Sequence, residues 1–589
     1  MRYVFLALFS LIAMPLAAVD PFHAPAATSG SVDVTLHATE VVTANTAVVA
    51  GFGVPFPRGS ITAAGLANLR VMSAGVEIPA YVIELTPWRH RSNVTIDGQS
   101  VRVALVQVEV AFANTALPKT ITVEWGGPAR ILNRPTRAVR ATTWHQVTSG
   151  SFVAVDNVFE PNVLAQLPAD WLSRGALRTS RTLPFDASNG AARDDPATMD
   201  AITTWPGTQE AERALKNNFY TTINQDDPLV TTLIAYKTTR EPWLYDRSAN
   251  MFTLYFRSGS VKALREALRS TDFYRSKLTG AGAFTIEAGD SKYSYNESLA
   301  YAYWSTGDAT FLPAISTTAN QHNGTVHVWT PQVGFWTERG AAFKLMAHAI
   351  DYEVTGSVAR RDSVNAIIQG LVDHQNGAAL PIPMQGRIDG GWYHTGDQHD
   401  PTEMPAALYG ASSWMTALLS DSLRRAYATA EDLPSAHMIR RSGTFLKTSL
   451  RNQVGGYNGE VTWAPRYIIE WDGTDFAPEV QEADPLHEEE HALETTSALA
   501  WADYFGALVN QRDATLASIV ADVYDTYDLG VNNWIRPTAP ASAGLAAFRV
   551  TPPRKWGWEH RTSDGLSWAI AAASAPAELP VFANGFETP

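Results

Sequence analysis

Between Ser31 and Gly127 apolar and polar positions alternate. Val32, Val34 and Leu36 share one face of a strand, and Ile121, Val123 and Trp125 repeat the pattern near the far end of the region. A period of two, bounded by Gly, Pro and Asn, predicts half-buried antiparallel strands. The phase changes once. Val101, Val103 and Leu105 occupy one face, whereas Val106, Val108, Val110 and Phe112 occupy the other. An inserted residue produces such a switch, which predicts a β-bulge at Leu105–Val106. A less regular stretch from Ala138 to about Pro206 extends the β region.

From about Thr208 the period lengthens. Trp336, Phe343, Met346, Ile350 and Val354 recur at steps of seven, three, four and four, which is one helical face. Helices are expected also over 249–258, 260–273, 293–305, 309–319, 359–373, 405–429, 433–449, 489–509, 512–528 and 563–574. With one or two between 208 and 240 they number about a dozen. A weak repeat joins them: Tyr303–Asp308, Tyr352–Ser357 and Tyr427–Asp432 each end one helix and begin the next. Gly in this place takes the left-handed conformation, and the following Asp or Ser caps the next helix. These are tight helical hairpins. Such hairpins bury one face only against neighbours, so they stack into a solenoid or a closed ring. The longer connections, 321–334, 375–403, 450–487 and 530–562, then gather at the end opposite the short turns. They are rich in His, Trp, Tyr and Arg, and long loops in compact domains usually carry function.

Composition narrows the setting. At roughly 100–200 residues per domain, 589 residues suggest about three units. A net charge of −14 argues against a nucleic-acid partner. The lack of any cysteine excludes disulfides, thiolate zinc, iron–sulfur clusters and cysteine nucleophiles. Arg2, the apolar run Val4–Ala13 and the small residues Ala17 and Ala18 have the order of a secretory signal, with cleavage expected after Ala18. The run is too short for a membrane span, which needs about 20 apolar residues. Export without cysteine suits a Gram-negative periplasm or the surrounding medium. The expected organisation is a signal (1–18), a linker (19–30), a β-rich region (31–206), a helical catalytic domain (207–577) and a tail (578–589). A monomer without membrane insertion is expected.

Gly51-Phe52-Gly53-Val54-Pro55-Phe56-Pro57-Arg58-Gly59 is followed by Val76-Glu77-Ile78-Pro79 and by Asp97-Gly98-Gln99-Ser100-Val101-Arg102. This order resembles the β domain that opens exo-acting rhamnogalacturonan lyases and their relatives. The resemblance covers about 100 residues and rests on structural turns, so no catalytic residue is carried over. It implies a β barrel followed by an (α/α) toroid, a fold of class α+β with about a dozen helices in the second part, and a carbohydrate-active enzyme. The tail Pro580–Glu587 is similar to short endings of some secreted Gram-negative proteins.

The densest polar segment runs from Gly390 to Glu403. There His394 or His399 has the chemistry of a proton acceptor, with Asp397 or Asp400 to orient the imidazole, beside Trp392 and Tyr393. His and carboxylates also suit a metal. His487-Glu488-Glu489-Glu490-His491 formally matches H-E-x-x-H. Glu at both intervening positions and the lack of a third ligand favour an acidic helix start instead. Tyr295, Asn296 and Glu297, with Trp336, Glu338 and Arg339, open helices beside the long loops. Trp463, Tyr467, His487, Trp556, Trp558 and Arg561 add stacking surfaces and charge in the same loops.

A polyuronate lyase needs a cation or amide to neutralise the carboxylate and a His or Tyr to take the neighbouring proton. The expected catalytic set is Tyr295, Asn296, Arg339, His394, Asp397 and His399. The expected substrate contacts are Trp336, Trp392, Tyr393, Trp463, Tyr467, His487, Trp556, Trp558 and Arg561. An inverting hydrolase would instead need two carboxylates roughly 6.5–9.5 Å apart, and Glu338, Asp397, Asp400, Glu403 and Glu490 are its candidates. A glycan-binding protein would use the aromatics alone. No phosphate-cradling loop stands out, so no nucleotide cofactor is expected. Calcium stays open, and a polysaccharide is the expected partner.

Overall fold

The computed structural model describes residues 26–148, 157–184, 240, 243–324, 329, 337–377, 389–398, 408–454, 461–471, 476–478, 491–534 and 561–574. The N-terminal region is β, as the alternation predicts. Its strands are β1 (Gly30–Ala38), β2 (Val48–Pro55), β3 (Arg70–Ser73), β4 (Val76–Glu77), β5 (Ala80–Pro87), β6 (Val101–Val110), β7 (Lys119–Trp125), β8 (Trp144–Gln146), β9 (Phe159–Pro161) and β10 (Val163–Gln166). They form two antiparallel sheets, ordered β10-β1-β7-β3-β4 and β2-β6-β5, and a β8-β9 pair. Val34, Leu36, Phe52, Val54, Val106, Ile121 and Val123 belong to one apolar core.

The bulge expected at Leu105–Val106 is absent. β6 pairs with β2 without interruption from Val110↔Val48 to Val103↔Pro55. The irregularity lies on the neighbouring strand, around Thr86 of β5. The phase of apolar residues changes because β6 is buried almost throughout, so neither face needs polar residues. Leu105 lies against Gly307 at a helix end, where an added Cβ would come within 2.5 Å of its Cδ1.

The helices are α1 (Arg140–Thr143), α2 (Ala169–Leu172), α3 (Arg247–Ser258), α4 (Val261–Ser276), α5 (Glu297–Thr306), α6 (Leu312–Asn320), α7 (Glu338–Thr355), α8 (Val358–Gln375), α9 (Ser413–Ala428), α10 (Leu433–Ser449), α11 (Ala492–Leu508), α12 (Leu516–Trp534) and α13 (Leu566–Ser574). The helices expected between 208 and 240 fall outside the described residues. Two expectations change. Residues 409–411 form a strand, β12 (Tyr409–Ala411), rather than the start of α9. The connection 450–487 also contains pairing: β13 (Leu450–Val454) with β14 (Val461–Pro465), and β11 (His394–Thr395), β12, β15 (Ile469–Trp471) and β16 (Phe476–Pro478) in one antiparallel sheet. Pairing of β12 with β15 overrides a local helical period.

The repeated turns have the expected geometry. Gly307 and Gly356 are left-handed (φ 69° and 67°), and their amides donate to Tyr303 and Tyr352 carbonyls at 2.7 and 2.8 Å. Ser357 and Asp432 cap the helices that follow, while Asp308 caps the short turn before α6. In the third copy Glu431 takes the left-handed place, at φ 49°. A fourth copy, Tyr255 to Ser260, joins α3 to α4 through Gly259. The tyrosines of three copies reach the β region: Tyr255 Oη accepts from the Leu167 amide, Tyr303 donates to the Leu85 carbonyl, and Tyr352 donates to Asp97. Thus the turn that reverses the chain also docks the β region.

Arginines of the β region complete that docking. Arg58 and Arg137 donate to the Ala428 and Gly307 carbonyls at 2.9 and 2.6 Å, and Arg91 pairs with Asp432. Cations at helix C-termini meet the negative end of the dipole. Trp304 donates to Thr86 Oγ1 at 2.9 Å, and its carbonyl lies so near Gly53 that a Cβ there would stand 1.6 Å away. The first helices of the hairpins pack in series, α3, α5, α7, α9, α11, α13. Arg561, just before α13, donates to the Tyr245 carbonyl before α3 at 3.3 Å, which links the segments that precede the first and last of these helices. No helix among the described residues is long and apolar enough to cross a membrane.

Candidate active site

Buried charge runs through the centre of this helical array. Glu353 on α7 binds Arg102 of β6 at 2.7 Å and Arg425 of α9 at 2.7 Å. Arg425 also reaches Glu297 at the start of α5. Glu297 takes two more guanidiniums, Arg178 at 3.1 Å and Arg561 at 2.9 Å, and Arg178 continues to Asp421 and Asp564. Burial would raise the Glu297 carboxyl, but Arg178, Arg561 and Arg425 outweigh it and hold the group at about 2. Asp246 lies beside this network with its carboxyl pushed up to about 6 by burial, against the opposing pull of Arg561.

The starts of the first helices meet at the end opposite the β region. Asp246 accepts from Ala249, capping α3, and from the Ser298 amide of α5. Glu338 Oε1 accepts the Ser412 amide at 2.7 Å, joining α7 to α9. His491, before α11, stacks on Trp414 of α9 with centroids 4.8 Å apart and planes 9° from parallel. The Tyr245 amide donates to Tyr295 Oη at 2.8 Å. At the meeting point Arg339 donates to Tyr245 Oη at 3.2 Å, and its guanidinium lies 5.6 Å from the Trp414 ring centre. Tyr467 packs against both Trp414 and His491, at 5.9 and 5.6 Å. Burial would lower the Arg339 pKa, but the phenols of Tyr245, Tyr467 and Tyr295 raise it. The Tyr295 phenol is itself pushed well up by burial. A small cavity beside the cluster, lined by Tyr295, Glu297, Phe343 and Arg561 among others, has room for about one water.

The structure brings Tyr295, Arg339, Tyr467 and Arg561 together, Asn296 lines the small cavity with Tyr295 and Arg561, and the other described candidates make contacts of their own. Asn296 is buried and donates to the carbonyls of Ile315 and Ala347, tying α5 to its neighbours. His394 is buried, with Nδ1 3.1 Å from Glu338 Oε2. Trp392 is buried and donates to the Leu371 carbonyl, while buried Tyr393 donates to Asp389. Asp397 is exposed and accepts from Thr395. Trp463 is exposed on β14, and its amide donates to Thr526. His399, Trp336, His487, Trp556 and Trp558 lie outside the described residues. Sequence reasoning missed Tyr245 and Trp414. Neither belongs to a motif, yet each stands at a helix start, the position that singled out Tyr295 and Arg339.

Among the described residues one group has the spacing of a metal site: Glu40, His145 and Glu160, with ligand atoms within 4.8 Å of one another. Arg265 and Arg269 both donate to both oxygens of Glu160, and Arg265 also pairs with Glu40. The guanidiniums already neutralise the carboxylates, so this group does not fit calcium. Set beside family models, curated proteins and solved structures, the chain matches none of them.

Proposed function

We propose that this chain is an exported polysaccharide lyase that cleaves a uronate-containing glycan by β-elimination. In this reading the helical hairpins close into an (α/α) toroid, with the β region on its short-turn face and the substrate on the other. The observation that carries it is the cluster at the helix starts: Arg339 donating to Tyr245 beside Trp414, with Tyr467 and His491 adjoining.

A proton beside a carboxylate becomes removable only when the developing enolate charge is neutralised, and a fixed guanidinium does this well where water is scarce. Arg339 takes that role. Tyr467 is half-buried rather than enclosed and lies against His491, so we assign proton transfer to this pair. The base removes the proton at C5, and its electron pair becomes the C4=C5 double bond. The C4–O bond breaks towards oxygen, which takes a proton and leaves as the new chain end. Trp414 supplies an apolar wall. Hydrolysis draws less support from the described residues, whose carboxylates near the cluster are engaged, while its candidates Asp400, Glu403 and Glu490 lie outside them. Glu297 binds three arginines, Glu338 the Ser412 amide, and Glu494 lies 3.1 Å from His491.

A panel of pectic, other uronic-acid and neutral polysaccharides tests the reading, with ultraviolet absorbance and new reducing ends measured together. Absorbance rising with new ends on a uronate polymer is expected. New ends without absorbance would overturn elimination in favour of hydrolysis, and binding without products would leave a glycan-binding protein.

A further inference from the structure

Tyr245 and Asp246 are consecutive non-glycine residues with left-handed backbone, at φ 73° and 50°. A bulky residue rarely takes this conformation, and it persists only where its surroundings impose it. Here they do so on every side. The Tyr245 amide is held by Tyr295 Oη, and its carbonyl accepts from Arg561 at 3.3 Å and Asn250 at 3.4 Å. Asp246 is fixed by the amides of Ala249 and Ser298. The Tyr245 ring packs edge-on against Phe343 and Trp414, at 6.1 and 6.3 Å. What this fixed segment presents is one phenol oxygen, 3.2 Å from Arg339 Nη1.

We propose that Tyr245 is a positioning residue for Arg339. The strained turn holds the phenol so that it fixes the guanidinium in one plane above Trp414, aimed at the substrate carboxylate. This rests on the elimination reading, in which Arg339 neutralises that carboxylate. A carboxylate meets a planar guanidinium through two parallel bonds, so the orientation of the plane matters as much as the charge. Tyr245 is buried, whereas Arg339 is only half-buried. The tyrosine therefore acts through the arginine rather than on the sugar.

The test is a double-mutant cycle in the full chain, on the panel polymer that gives the largest absorbance. Tyr245→Phe keeps the ring and the turn and removes only the phenol oxygen. It is expected to lower kcat roughly 10-fold with little change in KM, while Arg339→Ala lowers kcat about 10²–10³-fold. The double variant should match Arg339→Ala alone, because the phenol has nothing left to orient. Additive losses, or Tyr245→Phe with full kcat beside an impaired Arg339→Ala, would overturn the positioning role alone. Full kcat in Arg339→Ala would overturn the elimination reading as well. If no polymer reacts, that reading fails by itself. The same cycle is then measured by calorimetric binding of trigalacturonate, where additivity, or no effect of Tyr245→Phe, again overturns positioning.

Discussion

The two ends of the same helices are built on different principles. At the end facing the β region, α3, α5 and α7 finish in left-handed glycines, and arginines of the β region and tyrosines of the turns hydrogen-bond across to the other part. Room is scarce there: Gly53 has none for a methyl group against Trp304. At the other end the helices start with mixed caps, two strained residues, stacked aromatics and a half-buried arginine. The ionic chain from Arg102 through Glu353, Arg425 and Glu297 to Arg561 runs between the two.

That difference can be broken most severely in the middle. Glu353→Ala leaves Arg102 and Arg425 buried without their shared carboxylate, and should cost about 3–5 kcal/mol in denaturant unfolding. A loss below about 1 kcal/mol would mean that water or relaxation compensates and that the two ends are not mechanically joined. Tyr467→Phe should act in the opposite way. We expect turnover to fall about 10²-fold with the unfolding midpoint hardly moved, if the half-buried phenol transfers the proton as proposed. Full activity in this variant would move proton transfer to His491.

His394 lies between these cases. Because it is buried against Glu338, His394→Ala should lower stability by about 1–3 kcal/mol. Loss of turnover at unchanged stability would instead make it a chemical group. The pH dependence separates the centre from its surroundings. Asp246, raised to about 6, binds its proton more tightly in the folded chain, so its contribution to stability falls as pH rises from about 4 to about 6. His322, lowered to about 4 by burial, contributes stability that is complete above about 6.5 and is lost as pH falls towards 4. Asp246→Asn removes the first slope only. Stability of the variant should therefore rise more steeply than that of the parent between pH 4 and 6, and equal slopes in denaturant titrations would refute the assignment. The smallest effect expected is at the β-facing end. Arg58→Ala loses one helix-end contact and should cost about 1 kcal/mol without touching turnover.

Local pattern was enough for much of the molecule. The period-two stretch defined the β region, and the 3.6 period placed α10 at its observed limits and α3, α4 and α8 within about three residues. The Tyr…Gly-[Asp/Ser] turns were legible because their chemistry is local: a left-handed glycine and a side-chain cap act within six residues. The sequence also pointed to Tyr295, Arg339, Tyr467 and Arg561 by residue type and by their place at helix starts or in long connections.

Contacts between distant segments decided the rest. β6 reads as two phases only because helix ends cover its second face, and a strand pattern holds no record of a helix some 200 residues away. β12 yields to β15, a partner 60 residues downstream. Asn296 and His394 have the residue types of a site, and only packing shows that one also ties α5 to its neighbours and that the other is buried against Glu338. Tyr245 carries no motif, and only the convergence of Tyr295, Arg561 and Arg339 on it gives it meaning. Residue chemistry and short-range caps are written in sequence; which of those residues face one another depends on how separate hairpins pack, and that is a property of the assembled chain alone.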